Sequence, residues 1–191
     1  MNWKSSLQTL STVLENMVVT DKSGTVIDVD AGYALLVEWI KECRKDKRRV
    51  YFVGNGASAS MASHYSTDLA KNAEVPTEVF TDCSLITATG NDFGYEQTFA
   101  YPLSQRMVAN EILIAISSSG NSPNAVAAIQ KAQELSGYAV TVTAMSPDNT
   151  MRSQGDLNFY LPAESYGMAE SGHGAVLHHL IDIFVTHKNI S

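Results

Sequence analysis

From Arg49 onward the chain repeats one unit: a short aliphatic run followed by a segment of helical periodicity. The runs are "VYFVG" at 50–54, "EVFT" at 78–81, "EILIAIS" at 111–117, "YAVTVTAM" at 138–145 and "LNFYL" at 157–161. Strands alternating with helices argue for βαβ units and a parallel sheet. Several runs are continuously apolar and do not alternate, as strands do when helices cover both faces of a sheet. The expected fold is therefore an α/β, doubly wound parallel sheet, and its ligand site belongs at the carboxyl ends of the strands, where the connections diverge.

Ahead of this core, residues 5–19 carry Leu7, Leu10, Leu14 and Met17 or Val18 at helical spacing, and "DKSGT" at 21–25 breaks the pattern. A second helix is expected from about Asp30 to Lys45, so two helices precede any strand. With 191 residues and no repeat, low-complexity tract or linker, the expectation is one domain over 1–191: a helical segment at 1–47 and an α/β core at 48–191. The basic stretch "KECRKDKRR" at 41–49 reads as a solvated helix end, where cations suit the carbonyl pole.

A net charge of −7 argues against a general nucleic-acid binder. Cys43 and Cys83 lack CxxC spacing and are expected to be buried free thiols. The first residues, "MNWKSSLQTL", show no basic then apolar leader, and no stretch has the length of a membrane span, so no membrane partner and a cytoplasmic location are expected.

The third core run ends in "SSSGNSPN". Ser122 suits an N-cap and Pro123 a first helical position. A helix N-terminus with unpaired N–H groups, surrounded by the hydroxyls of Ser117, Ser118, Ser119 and Ser122, can hold a phosphate, and Gly120 permits close backbone approach. Asn121 lies in the same turn. No Walker lysine and no GxGxxG is present, which favours a sugar phosphate over a nucleotide. The first run ends in a similar turn, where Gly54, Asn55 and Gly56 precede Ser58 and a helix. Two such turns suggest one pocket, with one turn for phosphate and the other for hydroxyls.

His64 and Asp68 are four apart on the helix after Gly56 and share a face. Glu170, His173 and His178 recur along the closing helix. Two imidazoles and two carboxylates from two helices can bind a divalent metal such as zinc or shuttle protons. Asn91 and Asp92 are expected in a turn after an apolar helix, with Asp92 a candidate for sugar hydroxyls. His179 and His187 fit an ordinary polar helix face.

Together "GNGASASMASHYSTDL", "TGNDFGYE", "ISSSGNS" and "ESGHGAVLHHLID" resemble the sugar isomerase (SIS) domain family, specifically the sedoheptulose 7-phosphate isomerases, over nearly the whole chain. The resemblance implies a five-stranded parallel sheet flanked by helices and a homotetramer with active sites between subunits. It implies a phosphate held by Ser117, Ser118, Ser119 and Ser122, with Asn55 and Ser58 lining the pocket. It further implies a metal and catalytic cluster at His64, Asp68, Glu170 and His178, with one zinc per subunit. His178 is then one acid-base partner and Asp68 or Glu170 the other. The implied reaction converts D-sedoheptulose 7-phosphate to D-glycero-D-manno-heptose 7-phosphate through an enediol(ate), within lipopolysaccharide or capsule heptose synthesis.

This sequence departs from the family pattern in Asp68, where the family has Glu, in Glu170, where it has Gln, and in Gly167–Met168, where it has Asp-Arg. Those departures make another phosphosugar an alternative substrate. A second alternative is a non-catalytic sugar-phosphate-binding module, like the branch that binds the bacterial replication initiator.

Overall fold

The computed structural model describes residues 2–188, with the side chains of 187 and 188 left aside. Helix α1 (Trp3–Glu15) is followed by strands β1 (Val18–Asp21) and β2 (Val26–Ile27), then α2 (Val29–Lys45), β3 (Val50–Gly54) and α3 (Ala57–Ala73). The chain continues through β4 (Thr77–Val79), α4 (Cys83–Phe93), α5 (Gln97–Arg106), β5 (Ile112–Ser117) and α6 (Pro123–Glu134). It closes with β6 (Tyr138–Ala144), β7 (Leu157–Leu161) and α7 (Tyr166–Lys188).

The expected five parallel strands are present in the order β7-β6-β5-β3-β4. Among the described residues the sheet nevertheless has seven strands, because β1 pairs antiparallel with β7 and β2 with β1. Two strands thus come before the second helix, contrary to the sequence expectation. The cause is local. "DKSGT" is a hairpin turn: the Asp21 carboxylate accepts from the N–H groups of Ser23 (2.9 Å) and Thr25 (3.0 Å), and Gly24 takes a positive φ of 81°. The β-branched pair Val18–Val19 then covers the edge of β7 that would otherwise stand open.

Side-chain alternation in the central strand divides the core. Ile112, Ile114 and Ile116 face the layer of α2, α3 and α7, whereas Leu113 and Ala115 face that of α5 and α6. Both faces are covered, and every residue of β5 is buried.

Helices α3 and α7 lie against one another on the first face. The Tyr65 hydroxyl joins them by donating to the Gly174 carbonyl at 3.0 Å. The basic stretch does end a helix, with Arg44 and Lys45 in the last turn of α2. Only one cysteine matches expectation. Cys43 is buried and its thiol is pushed up to about 11 by desolvation, then by the Glu111 carboxylate, whereas Cys83 is exposed at the start of α4.

Candidate active site

Strand β5 delivers Ser117 to the carboxyl edge of the sheet, where the chain turns into α6. The Ser117 hydroxyl lies 3.5 Å from that of Ser119 and 3.4 Å from that of Ser122, and it accepts the Gly120 N–H at 3.1 Å. Ser122 occupies the N-cap position before Pro123, yet its side chain makes no capping bond. It turns to Ser117 instead, leaving the start of α6 for a ligand. Gly120 is obligatory, since its φ is +63° and a Cβ there would fall 2.0 Å from Asn149 Oδ1.

Asn121 turns away from this cluster. Its carboxamide donates to the Ser119 carbonyl (3.1 Å) and accepts from the Thr150 N–H (2.9 Å) and hydroxyl (2.8 Å), so it braces the turn and does not line the cavity.

The β3–α3 turn lies opposite. Gly56, at φ +56° and ψ −122°, starts α3 with no side-chain cap. Between the two turns is a cavity of about 320 Å³, walled by Asn55, Gly56 and Ser58 on one side, by Ser117, Ser118, Ser119 and Ser122 on the other, and by Tyr166 and Glu170 from the first turns of α7. Two uncapped helix N-termini and a group of neutral hydroxyls suit a phosphate. Among the described residues no lysine or arginine lines the cavity, and Glu170 is the one charged residue in its wall.

Outward along the α3–α7 groove stand His64, Asp68 and His178, whose ligating atoms all lie within 4.8 Å of one another. His64 Nε2 is 3.4 Å from Asp68 Oδ2. The Tyr65 ring sits edge-on to both imidazoles, 4.9 Å from each. Two imidazoles and a carboxylate at this spacing fit a divalent ion with three protein ligands and an open position.

The expected set of four is divided. Glu170 and His178 are eight residues apart on one helix, about 12 Å along its axis, so within one chain Glu170 belongs to the cavity and not to the triad. His173 departs further: it is fully buried, and neither ring nitrogen has a hydrogen-bond partner among the described residues. Asn91 and Asp92 lie in the last turn of α4, not beyond it, bonded to each other at 2.8 Å and away from the cavity wall. His179 packs on the Tyr33 ring in a separate groove between α2 and α7. The His187 side chain lies outside the described residues.

Tyr166 in the cavity wall, and Asn124, Tyr95 and Thr98 behind Asn55, were not foreseen. The last asparagine of "SSSGNSPN" and the tyrosine of "NDFGYE" were the visible signals.

Fold and site define a doubly wound α/β protein with a hydroxyl-lined cavity at its strand ends, between two uncapped helix starts. A family model described as SIS domain matches residues 28–144. Phosphoheptose isomerases of Helicobacter pylori and Trichlorobacter lovleyi are 32% and 31% identical, with 76% and 82% of this chain and 79% and 82% of theirs covered. The solved structure of phosphoheptose isomerase from Neisseria gonorrhoeae has the same fold, with a TM-score of 0.82 at 22% identity over 95% of this chain and 94% of that one. The chain belongs to the SIS domain family and, within it, to the phosphoheptose isomerases.

Burial of His173 has a measurable consequence. Desolvation pushes its pKa down to about 4. The unfolded chain protonates this group near 6.5 and the folded chain near 4. Stability is therefore full above 6.5 and is lost as pH falls towards 4, by roughly 3 kcal/mol. Urea denaturation from pH 7 to pH 4 should show this loss, and His173→Gln should remove most of its pH dependence. An unchanged profile in the variant would contradict the assignment.

Proposed function

We propose that the protein is an aldose-ketose isomerase acting on D-sedoheptulose 7-phosphate to give D-glycero-D-manno-heptose 7-phosphate. The observation that carries this reading is the pairing of a hydroxyl-lined cavity at two helix N-termini with an ionisable triad farther along α3 and α7, two helices that also wall the cavity. The matched phosphoheptose isomerases support the substrate class.

In this reading the phosphate is fixed by Ser117, Ser118, Ser119 and Ser122 at the start of α6, with Ser58 and the main chain at Gly56 closing the other side. Binding energy at that remote end orients the reacting carbons. Isomerisation moves one proton from C1 to C2 and exchanges hydroxyl protons between O1 and O2. His178 is the proposed acid-base partner at one of these positions, and Glu170, outside the triad, supplies the carboxylate for the other. Asp68 lies beside the His64 imidazole, with Oδ2 3.4 Å from Nε2, so that both can face one ion. Zinc is the proposed cofactor: when bound it would be held by His64, Asp68 and His178 in each chain and would polarise the substrate carbonyl as a Lewis acid, taking over the acid role of the His178 imidazole.

The proposed assembly is a homotetramer with active sites between subunits. Support comes from the roughly 12 Å that separates Glu170 from His178 along α7. A single reacting carbon meets both groups most simply when they come from different copies. His64 and His178 are exposed, as residues awaiting a neighbour would be. No helix among the described residues is long and apolar enough to cross a membrane, and we place the protein in the cytoplasm.

Purified protein with sedoheptulose 7-phosphate and zinc should yield a new aldose phosphate by NMR, and His178→Ala should lower kcat by about 10²-fold or more. Binding of the sugar phosphate without turnover would favour a regulatory module or another phosphosugar substrate. Glu170→Gln removes a negative charge beside the phosphate site, so KM should fall while kcat also falls. A rise in KM with kcat unchanged would overturn the role given to Glu170.

A further inference from the structure

Asn55 meets the cavity from the β3–α3 turn, but most of its carboxamide is already engaged. Its Oδ1 accepts from the Tyr95 hydroxyl at 3.0 Å and from Asn124 Nδ2 at 3.0 Å, and its Nδ2 donates to Asn124 Oδ1 at 2.8 Å. Asn124 lies in the first turn of α6 and is almost fully buried, as is Thr98 of α5. Asn124 Nδ2 donates a second bond to Thr98 Oγ1 at 3.1 Å, and the Thr98 hydroxyl donates to the Tyr95 carbonyl at 2.8 Å.

These bonds fix a direction. A main-chain carbonyl only accepts, so the Thr98 hydrogen is committed to Tyr95 and Thr98 Oγ1 must accept from Asn124. Both amide hydrogens of Asn124 are then spent, one on Thr98 and one on Asn55 Oδ1. The Asn55 carboxamide has no freedom to flip: both acceptor positions are filled and a single N–H remains, with no partner among the described residues.

We propose that Asn124 and Thr98 are positioning residues, which lock the Asn55 carboxamide so that it offers the cavity one hydrogen-bond donor and no acceptor. The ligand group it takes is an acceptor oxygen of the sugar phosphate, either on the phosphoryl group or on the carbon chain. The same lock ties the β3–α3 turn to the start of α6, so the two walls of the cavity keep their separation. This inference rests on the cavity being the sugar-phosphate site.

The test is calorimetric titration of the full chain with sedoheptulose 7-phosphate and, separately, with inorganic phosphate, for wild type, Thr98→Val and Thr98→Ser. Valine keeps the shape of threonine but removes the oxygen that directs Asn124, and serine restores it. Thr98→Val should weaken sugar-phosphate binding about three- to tenfold, the worth of one misdirected hydrogen bond, while Thr98→Ser should bind nearly as wild type. A parallel loss with inorganic phosphate would locate the acceptor on the phosphoryl group, and a loss confined to the sugar phosphate would locate it on the carbon chain.

Wild-type affinity in Thr98→Val, or an equal loss in both variants, would overturn the proposal. Should Thr98→Val not fold, the exposed Tyr95→Phe carries the test: a loss of about threefold is expected, and unchanged affinity overturns it. Wild-type protein that binds no sugar phosphate at all would instead overturn the assignment of the cavity.

Discussion

An α-helix begins with main-chain N–H groups that have no partner within the helix, and they must be met by a cap, by water or by a ligand. Helices α3 and α6 both start at the carboxyl edge of the sheet, and neither receives a side-chain cap. The β3–α3 and β5–α6 turns put these two starts on facing walls of one cavity. The surrounding features follow from keeping that arrangement open. Ser122 gives up capping to join the other hydroxyls, Gly56 and Gly120 adopt backbone conformations that side chains disfavour, Asn121 braces the serine turn through Thr150, and Asn149 packs close against Gly120. Among the described residues the cavity wall holds no lysine or arginine, so the attraction it offers an anion comes from the two helix starts and the hydroxyls.

The second constraint is the groove between α3 and α7. Helical spacing brings His64 and Asp68 to one face of α3, and the Tyr65 contact to Gly174 holds α7 where His178 completes the triad. The same spacing keeps Glu170 away from that triad. Ionisable groups are thus distributed along the two helices, and in the proposed function a substrate anchored by its phosphate extends past them.

Legibility in the sequence followed the physics of each element. The long β5 and β6, rich in aliphatic and β-branched residues, were readable because both of their faces are buried. The β1–β2 hairpin was hidden, because a four-residue strand and a two-residue strand carry too little periodicity and the helical pattern of α1 runs on into Val18. The serine turn was legible because four hydroxyls exceed what a cap requires, and the triad because i,i+4 spacing is geometric. Three features were not legible: burial of His173, exposure of Cys83 and the engagement of Asn121 with Thr150. Each depends on which way a turn or helix faces the rest of the chain, which a local pattern does not encode. The Asn55–Asn124 pair joins residues 69 apart in sequence and is of the same kind.

The account turns on where the phosphate is held. A crystal structure of the protein with sedoheptulose 7-phosphate would test this most directly. The phosphoryl group should lie within hydrogen-bonding distance of Ser117, Ser119 or Ser122 hydroxyls and of main-chain N–H groups at the start of α6, with the carbon chain directed along the α3–α7 groove. A phosphate bound elsewhere, or bound through lysine or arginine side chains with the serine turn empty, would contradict the account.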